Sequence, residues 1–401
     1  MSTRVLYSLL LAALSVSCSD NERSSHNTAD LSATRSLTSS DTARARRDFT
    51  QALRFTRAAK YDSAFLYFQQ ASENYAATQD WQNYIRCRSQ MGESLLRQGE
   101  VNEPMDSLKQ TLQLSLRYFG EQHAETATAH NNIGRWHYLR GELEEAFSYC
   151  NKALSIRRAT LGEQHIETAK SYLLIGNIHS YKGEYEQAFA LLNQALTILP
   201  SDSGVNALIA ADIYNAMAVS YDDLGDYDRA AIFYEKALAT LTAELGERHP
   251  KIADIDNNVG ALHEIKGDYE RALAYYRNAV SIYLAAGRTQ HTNLAYFYDN
   301  IGNVYRARGD YDEAISFYQK ALTTLRATVG EHHPETAAQY NYLASIHEAE
   351  GKSDDAPEFY QRAIAANIPS FKEEDRCANP RIENILSEKV LLETLGAKRR
   401  R

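Results

Sequence analysis

The chain has 401 residues, 44% of them hydrophobic and 10% aromatic, with a formal net charge of −9. That balance argues against a nucleic-acid partner, which needs a basic stripe, and four cysteines with no C-x2-C pair give neither a disulfide framework nor a zinc site. The length would fill two or three globular domains, unless the chain is a repeat array forming one elongated domain.

The first elements read as export apparatus. A single early charge, Arg4, precedes an apolar run over residues 5–14, too short to span a bilayer but suited to the core of a signal peptide. Small residues Ser15 and Ser17 then lead to Cys18. Residues 1–18 therefore resemble a bacterial lipoprotein signal, with Leu14 one place ahead of the usual leucine. The resemblance implies that Cys18 is lipidated and that the protein is exported and anchored on the periplasmic or outer side. The alternatives are an ordinary cleaved signal, or an uncleaved tail on a cytoplasmic protein. Residues 19–44 are rich in Ser and Thr and poor in apolar side chains, which predicts a disordered tether.

From residue 45 to 366 the text is periodic. Gly99, Gly141, Gly183, Gly225, Gly267, Gly309 and Gly351 recur every 42 residues. Gly134, Gly176, Ala218, Gly260 and Gly302 precede them in step, and Ala146, Ala188, Ala230, Ala272 and Ala314 follow in step. In one unit, Tyr298, Ile301, Gly302 and Tyr305 fall on one helical face. Gly309 suits a left-handed helix end, Asp310 or Asp312 can cap the next helix, and Ala314, Phe317, Tyr318 and Ala321 make its matching face. This pattern resembles the tetratricopeptide repeat (TPR), W-x2-L-G-x2-Y…A-x3-F…A. The predicted fold is all-α, a superhelical solenoid of seven repeats plus an irregular eighth at the front, from Ala45 to Ala77. Pro104 and Met105 are expected to interrupt a second helix, whereas Pro357 falls in a tolerated first turn.

The period exceeds the basic 34 residues of the family, and the connecting loops carry recurrent text: Leu161-Gly162-Glu163, Leu245-Gly246-Glu247 and Val329-Gly330-Glu331. With His130-Asn131-Asn132-Ile133-Gly134, they are similar to the kinesin-light-chain type of TPR. The loops around Ser203-Gly204 and Gly287-Arg288-Thr289-Gln290 depart from that text. The tail, residues 367–401, resembles the segment joining such arrays to a caspase-like CHAT domain, which does not follow here. Residues 382–397 read as an amphipathic capping helix over the last repeat.

In this family the first helix of each repeat lines the concave surface. There the resemblance puts asparagines that grip a peptide backbone: Asn132, Asn258 and Asn300 first, then Asn131, Asn215, Asn257 and Asn341. Inter-repeat hydrogen bonding is the competing role for the same amides. Groove charges are basic early (Arg86, Arg135, Lys170) and acidic in the middle (Asp212, Asp222, Asp254, Glu264), so Arg135, Asp222 and Asp254 join the candidate contacts. His137, His179, His263 and His347 share a position that Tyr305 fills elsewhere, which makes it a packing site. A second series, His123, His165, His249, His291 and His333, opens successive repeats, too far apart to share a metal. No nucleophile elbow, Walker loop, dinucleotide fingerprint or H-E-x-x-H occurs. The expectation is a scaffold with no catalytic residues, cofactor or metal, binding a protein or peptide. Two alternatives stand beside it: the arm of a split or truncated CHAT protease system, and a self-associating assembly factor of unknown oligomeric state.

Overall fold

A computed structural model of the protein describes residues 39–98, 104–199, 204–349 and 356–367. The expectations for Cys18, the export signal, most of the tether and the capping tail lie outside these residues. Among the described residues there are sixteen α-helices and no strand, and none of the helices is long and apolar enough to cross a membrane.

The helices form eight successive antiparallel pairs. The first members are α1 (Ser39–Arg57), α3 (Trp81–Arg97), α5 (Ala124–Leu139), α7 (Ile166–Tyr181), α9 (Val205–Asp223), α11 (Pro250–Ile265), α13 (Thr292–Arg308) and α15 (Pro334–Ala349). Their partners are α2 (Tyr61–Ala77), α4 (Pro104–Phe119), α6 (Leu143–Thr160), α8 (Tyr185–Ile198), α10 (Tyr227–Leu245), α12 (Tyr269–Ala285), α14 (Tyr311–Thr328) and α16 (Ala356–Asn367). The irregular front copy is thus a full pair, and α1 begins at Ser39, ahead of the expected array start at residue 45.

Each pair is made by the same local chemistry. In α13 and α14 the buried faces are Leu294, Phe297, Ile301 and Val304 against Ala314, Tyr318, Ala321 and Leu325. The helices cross at Gly302, where a Cβ would lie 2.8 Å from the Tyr318 ring. The chain reverses at Gly309, whose φ of 83° an L side chain adopts only with strain. Pro104 corrects one expectation: it does not interrupt α4 but opens it, where its missing N–H leaves no bond unmade.

The two histidine series have distinct structural jobs. His123, His165, His249, His291 and His333 stand just before first helices, and each Nδ1 accepts the backbone N–H two residues on, at 3.1–3.3 Å. They act as N-caps, and the accepting Nδ1 places the ring proton on Nε2. His137, His263 and His347 instead stack on Tyr149, Tyr275 and Phe359, as a packing position requires.

Neighbouring pairs are joined by repeated cross-links over the apolar core. At the hairpin turns, Lys182, Lys266 and Arg308 each reach back to the preceding pair, to Glu144, Asp228 and Glu270. These ion pairs are exposed, so each adds little energy and mainly sets register. The solenoid also touches itself. The turn between α1 and α2 meets the loops before α11 and α13: His249 Nε2 donates to the Arg57 carbonyl at 3.0 Å, and Arg288 donates to the Ala59 carbonyl.

Candidate functional site

The first helices α3, α5, α7 and α9 enclose a hollow of about 350 Å³. A second of about 350 Å³ adjoins it and extends to α11, sharing Arg97, Arg135, Asn177 and Asp212 with the first. Side chains point there because consecutive first helices stack side by side, so the same helical face of each unit repeats along one surface.

Charge dominates the lining. Arg97 holds Glu93 through its Nε at 3.0 Å and its Nη2 at 2.9 Å, while Arg135 Nη1 stands 3.8 Å from the same oxygen. Burial works to raise the Glu93 pKa, but Arg97, Arg135 and Lys170 outweigh it and hold it down to about 2. Lys251 holds both oxygens of Asp212, at 2.6 and 2.8 Å. Arg157, 2% exposed, ties α5, α6 and α7 together through Ser171 (2.7 Å), the Glu167 carboxylate (3.0 Å) and Asn131 (3.4 Å). Lys170 takes the other oxygen of Glu167 at 2.6 Å.

The asparagines divide by what they already bond. Asn132 is 5% exposed and donates to the Ser89 carbonyl of the preceding first helix at 2.9 Å. Asn258 donates to Asn215 at 3.3 Å, and Asn300 to Asn257 at 2.8 Å. These bonds step 43 residues along the chain and link successive first helices. Asn341 is 8% exposed and also engaged. Asn131, Asn132 and Arg135 line the first hollow; Arg135, Asn215 and Asp254 line the second. Asp254 accepts from Tyr283 (2.6 Å) and Asn293 (2.9 Å). Asn257, Asn258, Asn300, Asn341 and Asp222 line neither hollow. At Asp222, burial and then Asp223 push the pKa up.

Several lining groups escaped the sequence reading, among them Glu93, Arg97, Arg157, Glu167, Lys251 and Asn177. Asn177 lies three residues after Leu174, on the same face as Lys170 by helical spacing, which was the available signal. Among the described residues no cluster of His, Cys, Asp or Glu is placed to hold a metal ion. Cys87 and Cys150 are fully buried, and burial pushes both thiols up to about 12, far from nucleophilic use.

The family model for the tetratricopeptide repeat matches residues 84–149, 137–201, 209–285 and 289–367. No curated protein sequence matches the chain. Among solved structures it is similar to BtubC (BKLC) from P. vanneervenii, with 23% identity and a TM-score of 0.51 over 60% of this chain and 95% of that one. It is similar to a Rap protein complexed with Competence and Sporulation Factor, with 14% identity and a TM-score of 0.54 over 81% and 98%. It is also similar to a chain of the APC/C hetero-tetramer Cut9-Hcn1, with 16% identity and a TM-score of 0.52 over 83% and 55%. At these identities the likeness is one of fold.

Proposed function

We propose that this chain, which belongs to the tetratricopeptide-repeat family, is a non-enzymatic scaffold that holds a polypeptide segment in the adjoining hollows of its first helices. One observation carries the reading. Arg135 and Asn177 line both hollows, at the space between α5, α7 and α9, and the Arg135 guanidinium meets Glu93 only at 3.8 Å, beyond hydrogen-bond reach. An amide beside a guanidinium offers donors and an acceptor to a main chain without demanding one sequence. The recurrent loop text favours the kinesin-light-chain type of array within the family.

The test is photo-crosslinking in the native cells. A crosslinking residue is placed at Asn177 and, as a control, at Asp228, whose side chain is 97% exposed. A protein captured from position 177 and not from 228 supports the groove. Capture from 228 alone moves the binding surface outward and overturns the reading.

We read residues 1–18 as a lipoprotein signal and Cys18 as the anchor, on the resemblance of that text alone. Cys18→Ser is expected to release the protein from the membrane fraction and remove the lipid mass; a variant that stays membrane-bound would reject the anchor.

A further inference from the structure

A third hollow, of about 570 Å³, opens among the second helices, between α10 and α12 and beside the start of α11. It shares no lining residue with the two hollows of the first helices. It stands where the repeat breaks. At one position of the first helices, α5, α7, α9, α13 and α15 carry the rings of His130, Tyr172, Tyr214, Tyr298 and Tyr340, and α3 carries Arg88. In α11 that position is Asp256.

In other pairs a longer side chain of the second helix meets this position. Lys236 lies over Tyr214 at 5.8 Å, Lys320 lies over Tyr298 at 6.0 Å, and Gln194 donates to the Tyr172 hydroxyl at 3.1 Å. Beside Asp256 the matching residue is the shorter Asn278, which donates to Oδ2 at 2.7 Å. The pairs on either side thus supply a ring and an ammonium, and this pair supplies neither.

The lining keeps one uncompensated charge. Asp256 is 4% exposed, and its Oδ1 accepts no hydrogen bond among the described residues. Burial pushes its pKa up, with Asn278 opposing and no cation contributing. The other charged lining groups, Glu247 and Arg248, are exposed and opposite in sign. Leu238, Ile252 and Ile282 add apolar surface. A few polar groups set in an apolar concavity of this size make a small-ligand site.

We propose that this hollow binds a primary amine carried on an aromatic ring, its ammonium on Asp256 and its ring against Leu238, Ile252 and Ile282. The ligand restores both groups that the neighbouring pairs supply from their own side chains. An ammonium brings three N–H donors, one of them for the free Oδ1, and a single positive charge for the single unpaired carboxylate. Burial of the ring adds apolar stabilisation. A quaternary ammonium has no N–H for Oδ1, and an anionic ligand meets Asp256 as a like charge. The site is separate from the groove and does not depend on the function proposed for it.

The test is calorimetric titration of the full chain, in mild detergent, with phenethylamine. Saturable binding at one site per chain is expected. Phenylacetate, close in size and opposite in charge, is expected not to bind. Asp256→Asn keeps an acceptor for Asn278 and is expected to weaken phenethylamine roughly tenfold or more. Asp256→Tyr puts back the ring of the neighbouring pairs and is expected to abolish binding while thermal stability holds or rises, which separates a filled site from a lost fold.

The proposal is overturned if phenethylamine shows no saturable binding, if phenylacetate binds as well, or if Asp256→Asn binds as wild type does. It is also overturned if butylamine matches phenethylamine, which removes the ring from the ligand. Tighter binding of N-acetyl-lysine amide would overturn the free amine and give the seat to a lysine side chain.

Discussion

Arg288 donates a 2.6 Å hydrogen bond to the backbone carbonyl of Ala59, a residue 229 positions earlier in the chain. Its guanidinium lies over two rings at once, Tyr61 at 5.3 Å and Tyr283 at 5.1 Å. Nearby, His249 holds the Arg57 carbonyl, and Glu244 stands 3.9 Å from the Arg57 side chain. Two loops that leave the fifth and sixth helix pairs thus clasp the turn of the first. A carbonyl accepting from a cation flanked by two aromatics is a strong contact for a solenoid, whose other contacts join only neighbours. Arg288→Ala combined with His249→Ala is expected to enlarge the radius of gyration in solution scattering while helical content by circular dichroism stays constant. Hydrogen exchange at residues 57–61 should accelerate in parallel. Unchanged scattering would mean that the closure does not hold in solution.

Ala59 stands where later pairs have glycine, and its φ is 54°; Gln79, at 58°, does the same between pairs. A side chain in this left-handed region costs on the order of 1 kcal/mol. Ala59→Gly should therefore raise stability against urea by up to about 1 kcal/mol, less the unfolded-state entropy that glycine adds. Gln79→Gly should act likewise and independently. A loss of stability in both would show that the turns relax in some other way.

Arg157 is the most deeply committed charge in the molecule's early half. Its pKa is lowered by burial first, with Glu167 opposing, yet it binds side chains or backbone on α5 and α7 from its place on α6. Removing one partner of a buried pair leaves the others unsatisfied, which costs about 3–5 kcal/mol. Arg157→Met keeps most of the aliphatic stem and strips the charge, so the expected loss is mainly electrostatic. Urea unfolding is the measurement, and a change below about 1 kcal/mol would reduce Arg157 to a packing residue.

Much of this fold is legible in the text because a repeat array writes each contact several times. The crossing at Gly302 and the turn at Gly309 recur at fixed intervals, and each follows from local sterics. The histidine series at His137 separates from the series at His123 because one alternates with tyrosine. The groove is legible only as a face. Spacing puts Asn132, Asn258 and Asn300 on the first helices, but their amide partners lie 43 residues away in the preceding unit, beyond any local pattern. Self-contact is hidden for a related reason, since it depends on small rotations accumulated over several units. Its trace in the text is partial: the front copy and the loop Gly287-Arg288-Thr289-Gln290 both break the pattern and meet in the clasp, whereas the loop that carries His249 to the same turn keeps the recurrent text.

Asp256 provides a pH signature of the core. It is 4% exposed on α11 and accepts from Asn278 at 2.7 Å, and burial pushes its pKa up to about 6 despite that bond. An unfolded aspartate titrates near 3.9. At pH 3 both states hold the proton and the group favours folding fully. As the pH rises from about 4 to 6 the unfolded chain releases its proton first, so the contribution is lost, and above pH 6 the loss is complete. The shift corresponds to about 2–3 kcal/mol at most. Asp256→Asn keeps an acceptor for Asn278 and removes the titration. The stability of Asp256→Asn minus wild type should therefore climb between pH 4 and 6 and level off above. Asp299, also raised to about 6 by burial, titrates in the same sense, but it is present in both proteins and cancels in the difference. A difference that does not vary with pH would show that Asp256 ionises freely in the folded protein, and that its surroundings admit water.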